Sequence, residues 1–334
     1  MKRAVALLMA LLMTLLAFSL AGCSTQKELR HVVLNEVTRS VFYAPLYAAV
    51  SQGFFAKEGL EIEIVTGGGS DKSMTALLAK DAEVALMGPE TAVYVANEGK
   101  EDHPMIIAQL TKRDGSFLVG RTAEENFDWS DLKGKSIIGG RRGGMPLMTL
   151  EYVLKQHGLT PGVDVTVYDH IQFPLMGGAF EGGLGDYVTL FEPTASTFAK
   201  AEKGYIVASV GLASGEVPYT TLMVSQETLQ KDPAFVESFV RAIYKAQQWI
   251  KTATENEIAK AMQPFFADTD IPTLEAVAKS YREADAWCTD PVMTEDAFGR
   301  LLDVIDSAGE LSARPALTDL VDNSIGLKVM EDEG

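Results

Sequence analysis

The hydrophobic pattern of this chain changes period repeatedly, and the changes mark its elements. Residues 31–37, HVVLNEV, are a short β-branched run that reads as a strand. Phe42-Tyr43-Ala44-Pro45 then turns into a helix, where a proline in the first turn sacrifices no hydrogen bond. Tyr43, Tyr47, Val50 and Phe54 recur at helical spacing, and Gly53 is placed to stop the helix. The next segment, LEIEIV from Leu60, alternates at period two. Gly67-Gly68-Gly69-Ser70 leads into a helix with Met74, Leu77 and Leu78 on one stripe and Ser70 as its expected cap. Val84-Ala85-Leu86-Met87 lacks alternation, as a parallel strand covered on both faces would. Gly88-Pro89-Glu90 opens another helix with a carboxylate at its positive end, and residues 105–110 form a further buried strand. This order predicts an α/β sheet of parallel strands with its ligand crevice beyond their carboxyl ends.

From Ser116 the pattern restarts. Strands are expected at 117–120, 136–138, 163–167, 187–191 and 205–210, with a helix carrying Met148, Tyr152 and Leu154 before Gly158. Residues 219–225 read as a strand that returns the chain to the first sheet. The remainder is helical: Asp232-Pro233 opens a helix running through Lys251, with Phe235, Phe239, Ile243 and Ala246 as its buried stripe. The organisation expected is one discontinuous lobe, 31–116 with 217–334, and a second lobe, 117–216.

The first residues break this pattern. Lys2 and Arg3 precede an almost unbroken apolar run to Phe18, followed by Leu20-Ala21-Gly22-Cys23. The run is short for a membrane span and suits a secretion signal. Residues 1–22 are expected to be a lipoprotein signal peptide, Cys23 the lipidated residue and 23–30 a polar tether. That places the protein outside the cytoplasm, held to the cell membrane by lipid. The only other cysteine, Cys288, then has no disulfide partner and reads as a buried small apolar residue. The formal charge of −17 argues against nucleic acid and against an anionic lipid surface as partners. It leaves open an anionic small ligand, which a locally basic pocket or helix N-termini can hold.

Three loops carry candidate chemistry. The glycines of Gly67-Gly68-Gly69-Ser70 let backbone approach a ligand, with Gly69 and Ser70 at the start of a helix; Lys72 is out of register for a P-loop. Gly139-Gly140-Arg141-Arg142-Gly143-Gly144 offers guanidinium groups, Arg142 foremost, and Gly144 at a helix start for a carboxylate, sulfonate or phosphate. Phe191-Glu192-Pro193 puts an acid at a strand end, where it accepts from an amine or aminopyrimidine or caps the following helix; Phe42, Tyr43 and Tyr219 would complete an aromatic and carboxylate site. Catalysis finds little support. The four histidines are scattered without HxH or HExxH spacing, no glycine pair flanks a nucleophilic serine, and no cofactor or metal is implied.

FYAPLYAAVSQGFFAKEGLEIEIV and GGGSDKSMTALLAKDAEVALMG, with Asp131-Leu132-Lys133-Gly134-Lys135 and Phe191-Glu192-Pro193 further on, resemble ABC-transporter solute-binding proteins for nitrate, aliphatic sulfonates, taurine and thiamine pyrimidine. The resemblance covers nearly all of the chain after the signal. It implies the type II periplasmic-binding-protein fold: two α/β lobes with a cleft between them, crossovers near 116–120 and 215–220, and a helical C-terminal region. It also implies a monomer that closes on a small solute and docks on membrane permease subunits. By position it adds Arg39, Glu90 and Met145 to the candidate ligand residues. The pyrimidine synthases of the same superfamily carry a cysteine-rich iron motif that this chain lacks, which weighs against an enzyme; a non-transport sensor lipoprotein is the other alternative.

Overall fold

The computed structural model describes residues 28–99 and 103–334. The expected signal peptide and Cys23 lie outside the described residues. Ten strands form two five-stranded sheets. The first contains β1 (Arg30–Glu36), β2 (Leu60–Thr66), β3 (Val84–Met87), β4 (Met105–Thr111) and β10 (Thr220–Val224), in the order β2-β1-β3-β10-β4. The second contains β5 (Ser116–Gly120), β6 (Ser136–Ile138), β7 (Thr166–Tyr168), β8 (Tyr187–Phe191) and β9 (Tyr205–Ser209), in the order β7-β6-β8-β5-β9.

In each sheet one strand runs against its neighbours. β1 pairs parallel with β2 and β3, whereas β10 is antiparallel to β3 and β4. β6 is parallel to β7 and β8, whereas β5 is antiparallel to β8 and β9. β5 and β10 are the strands that first enter each sheet from the other, so the reversal follows from the crossing. The chain crosses at 112–115 and returns at 210–219, the outward passage lying just before the expected 116–120, which is β5 itself. The two passages are tied together: Val217 N–H donates to Lys112 O at 2.9 Å and Tyr219 N–H to Thr111 O at 3.1 Å.

β3 is buried along its whole length, as its unbroken apolar run requires, and β2 alternates. The strand expected at 163–167 begins only at Thr166. Before it, Gly162 N–H donates to Val165 O at 2.8 Å, and Asp164 accepts from Thr160 N–H at 3.0 Å, so a local turn consumes the bonds a strand would have needed. The helix Pro233–Thr252 buries Phe235, Phe239, Ile243 and Ala246. The C-terminal helices also reach the second sheet's side: the Tyr281 ring of the helix Ile271–Glu283 packs at a tilt against Phe42 and Phe117, with centroids 5.0 Å and 6.3 Å away. Cys288 is buried and unpaired. No described helix is long and apolar enough to cross a membrane.

Candidate functional site

A cavity of about 220 Å³ opens where the strand ends of the two sheets face each other. Each sheet contributes through the turns that follow its strands. After β1, the Ser40 hydroxyl accepts from Phe42 N–H at 3.3 Å and fixes the turn Val41–Tyr43, which delivers Phe42 and Tyr43 to the cavity. The Trp287 indole N–H holds Phe42 O at 2.9 Å from behind. Gly115 makes room for the ring, since a Cβ there would stand 2.7 Å from it.

After β2, Gly67 and Gly68 N–H donate to Glu36 O and Val37 O, drawing the glycine loop against β1. A Cβ on Gly67 would meet Asn35 Oδ1 at 2.6 Å, and Gly68 has φ +83°, so both positions call for glycine. Gly68, Gly69 and Ser70 line the cavity. Ser70 is the first helical residue and Gly69 the N-cap, so the expected serine cap is not made; the hydroxyl sits one position too late.

After β3, Gly88 and Glu90 line the cavity. Glu90 is 2% exposed, and its Oε2 has no hydrogen-bond partner. Burial pushes its carboxyl up to about 8, against one stabilising bond from its own backbone N–H. The carboxyl is folded over Gly88, where a Cβ would stand 2.0 Å from Oε2. Burial together with the nearby Glu36 and Glu90 carboxyls raises the Tyr43 hydroxyl. Tyr219, from the returning passage, is buried beside Asp114; its hydroxyl is raised by burial first and then by that carboxyl, without completing a well-aligned hydrogen bond.

From the second sheet, Arg141, Gly144 and Met145 line the cavity after β6, and Thr189 and Phe191 from β8. Phe173 and Met176 also enter it, and sequence reasoning missed them. The available signal was Gln172-Phe173-Pro174, an aromatic–proline turn before a helix like Phe42-Tyr43-Ala44-Pro45.

Of the residues expected at the site, Phe42, Tyr43, Gly69, Ser70, Glu90, Gly144, Met145 and Tyr219 come together here. Three fall outside the lining. Arg39 turns back, with Nε 2.8 Å from Glu36 and its guanidinium over Tyr47 and Phe265. Arg142 faces solvent, its side chain 80% exposed and paired with Asp169; Arg141 takes the inward position and reaches Asp71 at 3.5 Å. Glu192 takes the capping role: its carboxylate accepts from Ser196 N–H at 3.0 Å and Ser196 Oγ–H at 2.7 Å, securing the helix Thr194–Lys200.

The helix starts divide the same way. Among described helices of eight or more residues, five carry a side-chain cap, from Asp232, Thr254, Asp270, Thr294 and Asp322. The four without one begin at Tyr43, Gly69, Pro89 and Gly144; Tyr43, Gly69 and Gly144 line the cavity, as do Gly88 and Glu90 on either side of Pro89. Their positive ends therefore collect around one volume. No group of three His, Cys, Asp or Glu that could hold a metal occurs among the described residues.

Two sheets joined by two passages, with a cleft at their strand ends and a helical C-terminal region, define a periplasmic-binding-protein fold, and solved structures share it. A ligand-binding component of an ABC-type import system from Staphylococcus aureus, with zinc bound, superimposes with a TM-score of 0.73 at 15% identity, over 90% of this chain and 99% of its own. The periplasmic nitrate-binding protein NrtA from Synechocystis PCC 6803 gives 0.71 at 15% identity, over 91% and 89%. The desulfurization enzyme DSZB gives 0.63 at 13% identity, over 91% and 99%. The chain belongs to the NMT1-like family, whose model matches residues 37–263. A Bacillus subtilis (strain 168) protein provisionally named binding protein YtlA is 43% identical over 318 residues, 95% of each chain.

Proposed function

We propose that this protein is an extracytoplasmic, lipid-anchored receptor that captures a small organic solute and delivers it to an ABC importer. Membership of a family with a relative named as a binding protein, and a fold shared with import components, support the receptor role. The lobes taken as 31–116 with 217–334 and as 117–216 would then close on the solute by a hinge at 112–115 and 210–219.

The observation that carries the solute class is the unpartnered Oε2 of the Glu90 carboxyl, in a cavity with aromatic walls. A buried polar atom without a partner costs free energy unless a ligand supplies one. A flat heterocycle of the aminopyrimidine kind fits: its ring packs on Phe42, Tyr43, Phe191 and Tyr219, its N–H groups meet Glu90, and its acceptor atoms face the uncapped helix starts. A second reading, a sulfonate or nitrate, is favoured by those helix starts and by Arg141 at the mouth.

A thermal-shift panel of aminopyrimidines, flavins, amino acids, sulfonates and nitrate separates them. A solute at a hundred times its dissociation constant adds about 2.7 kcal/mol to stability. A heterocycle hit that Glu90→Ala abolishes supports the first reading; a sulfonate hit that Arg141→Ala weakens supports the second. No shift from any member, nor from spent growth medium, removes the receptor reading. Chemical turnover of the hit by purified protein would replace it with an enzymatic one.

A further inference from the structure

We propose that the part of the cleft lined by Glu90 and the aromatic cluster binds a positively charged nitrogen, and that capture exchanges the proton of Glu90 for that cation. The proposal rests on the receptor reading above and adds the charge of the solute.

Four rings cluster along the cavity that Glu90 also lines. Phe42 lies 6.0 Å from Tyr43, 5.8 Å from Phe191 and 5.8 Å from Tyr219, and Phe191 lies 6.2 Å from Tyr219, all between ring centroids. All four line the cavity with Glu90. Ring faces attract cations, most strongly where water is excluded. A carboxyl among them adds a full charge once ionised, and a desolvated carboxylate requires a cation at hand.

Among the described residues, no basic side chain influences Glu90. The groups facing Glu90 are Tyr43 from the turn after β1, Tyr219 from the returning passage and Tyr94 on its own helix. Burial and one backbone N–H are the influences on its carboxyl, with no basic side chain among them. Of the neighbouring acids, Glu36 is engaged by Tyr47, Thr66 and Arg39, and Asp114 accepts from Ser116 N–H. Arg141 lines the cavity from the second sheet, but its side chain is 58% exposed and directed to Asp71.

The exchange balances simply. The protonated Glu90 carboxyl releases its proton to solvent, and the solute cation takes the vacated charge. No bond in the solute forms or breaks. The neutral alternative has the opposite sign: a neutral acceptor needs Glu90 protonated and is lost as pH rises.

The test uses phenyltrimethylammonium and its uncharged shape-mate tert-butylbenzene, titrated calorimetrically into the full chain at pH 7 and pH 9. With Glu90 titrating at about 8, its ionised fraction rises from about a tenth to about nine tenths. The cation should bind about tenfold more tightly at pH 9, and at pH 7 should release about one proton, read from two buffers of different ionisation enthalpy. Glu90→Gln should abolish both effects, with a melting temperature at pH 5 close to wild type showing that the variant folds. Equal cation affinity at the two pH values, or equal binding of tert-butylbenzene, overturns the proposal. If phenyltrimethylammonium fails to bind while a neutral heterocycle from the panel succeeds, the cation proposal falls and the receptor reading stands. If no panel member binds either, both fall.

Discussion

Ionising Glu90 in the empty cleft leaves a buried charge with little to offset it, so this residue ties the site to stability. Its carboxyl sits above its ordinary 4.5, at about 8, through burial. A raised folded-state value means the proton is bound more tightly in the folded protein. This residue's contribution to stability is therefore greatest below about 4.5 and is lost as pH rises to about 8. Glu90→Gln keeps the shape and cannot ionise. It should match wild type at pH 4, exceed it increasingly up to about pH 8 and then level off, by about 5 kcal/mol at most. Urea denaturation of both proteins across that range measures the difference; a constant difference at all pH values would refute the account. Glu90 itself was legible, because Gly88-Pro89-Glu90 ends a buried run. The choice between Arg141 and Arg142 was not: two adjacent arginines in a glycine loop are ordered by backbone angles, here φ +117° at Gly140 and +75° at Gly143, which the pattern does not encode.

At the scale of elements, the order of strands and helices followed from periodicity, because fully buried and half-buried strands carry different patterns. The inner boundaries of turns did not, and those boundaries decide which side chain faces the cleft. Phe191 and Glu192 show the cost of one position. Phe191 closes β8 and lines the cavity, whereas Glu192, the next residue, turns to the following helix and its Ser196. A sequence reading that weighs an acid at a strand end cannot separate ligand contact from capping, since both ask for an acceptor near N–H groups. Glu192→Gln should accordingly leave affinity for any panel hit within twofold, and should cost about 1 kcal/mol through a weaker cap. A tenfold loss of affinity with unchanged stability would return Glu192 to the site. The glycine loop makes a complementary case. Gly67→Ala places a Cβ 2.6 Å from Asn35 Oδ1 and 2.9 Å from Ser73 Oγ, whose mutual 2.7 Å bond joins β1 to the following helix. A loss of about 1–3 kcal/mol is expected, read as a lower denaturation midpoint.

For the molecule as a whole, the two sheets are joined in two ways of unequal strength. Behind the cleft, paired backbone at Lys112–Val217 and Thr111–Tyr219 is reinforced by Tyr281, whose hydroxyl accepts from Glu192 N–H at 3.1 Å across the passages. Across the mouth, the bonds include an exposed Arg141–Asp71 pair and the Tyr94 hydroxyl, which donates to Gly143 O at 3.2 Å and lies 3.4 Å from Met148 Sδ; further along the helix Met145–Gln156, Lys155 Nζ donates to Ser307 O. An exposed ion pair contributes about 0–1 kcal/mol, too little to lock two bodies together but enough to shift an equilibrium between open and closed forms. The buried contacts should persist through that motion while the mouth contacts come and go. The double variant Arg141→Ala with Tyr94→Phe should therefore open the empty protein. Small-angle scattering should give it a larger radius of gyration than wild type, restored by a saturating panel hit, with the melting temperature lowered by only about 1–3 °C. The hit should also leave the variant several times faster than it leaves wild type, because the mouth contacts act on the closed form. An unchanged radius together with an unchanged dissociation rate would show that these contacts do not hold the cleft shut, and would place control of closure in the passages at 112–115 and 210–219.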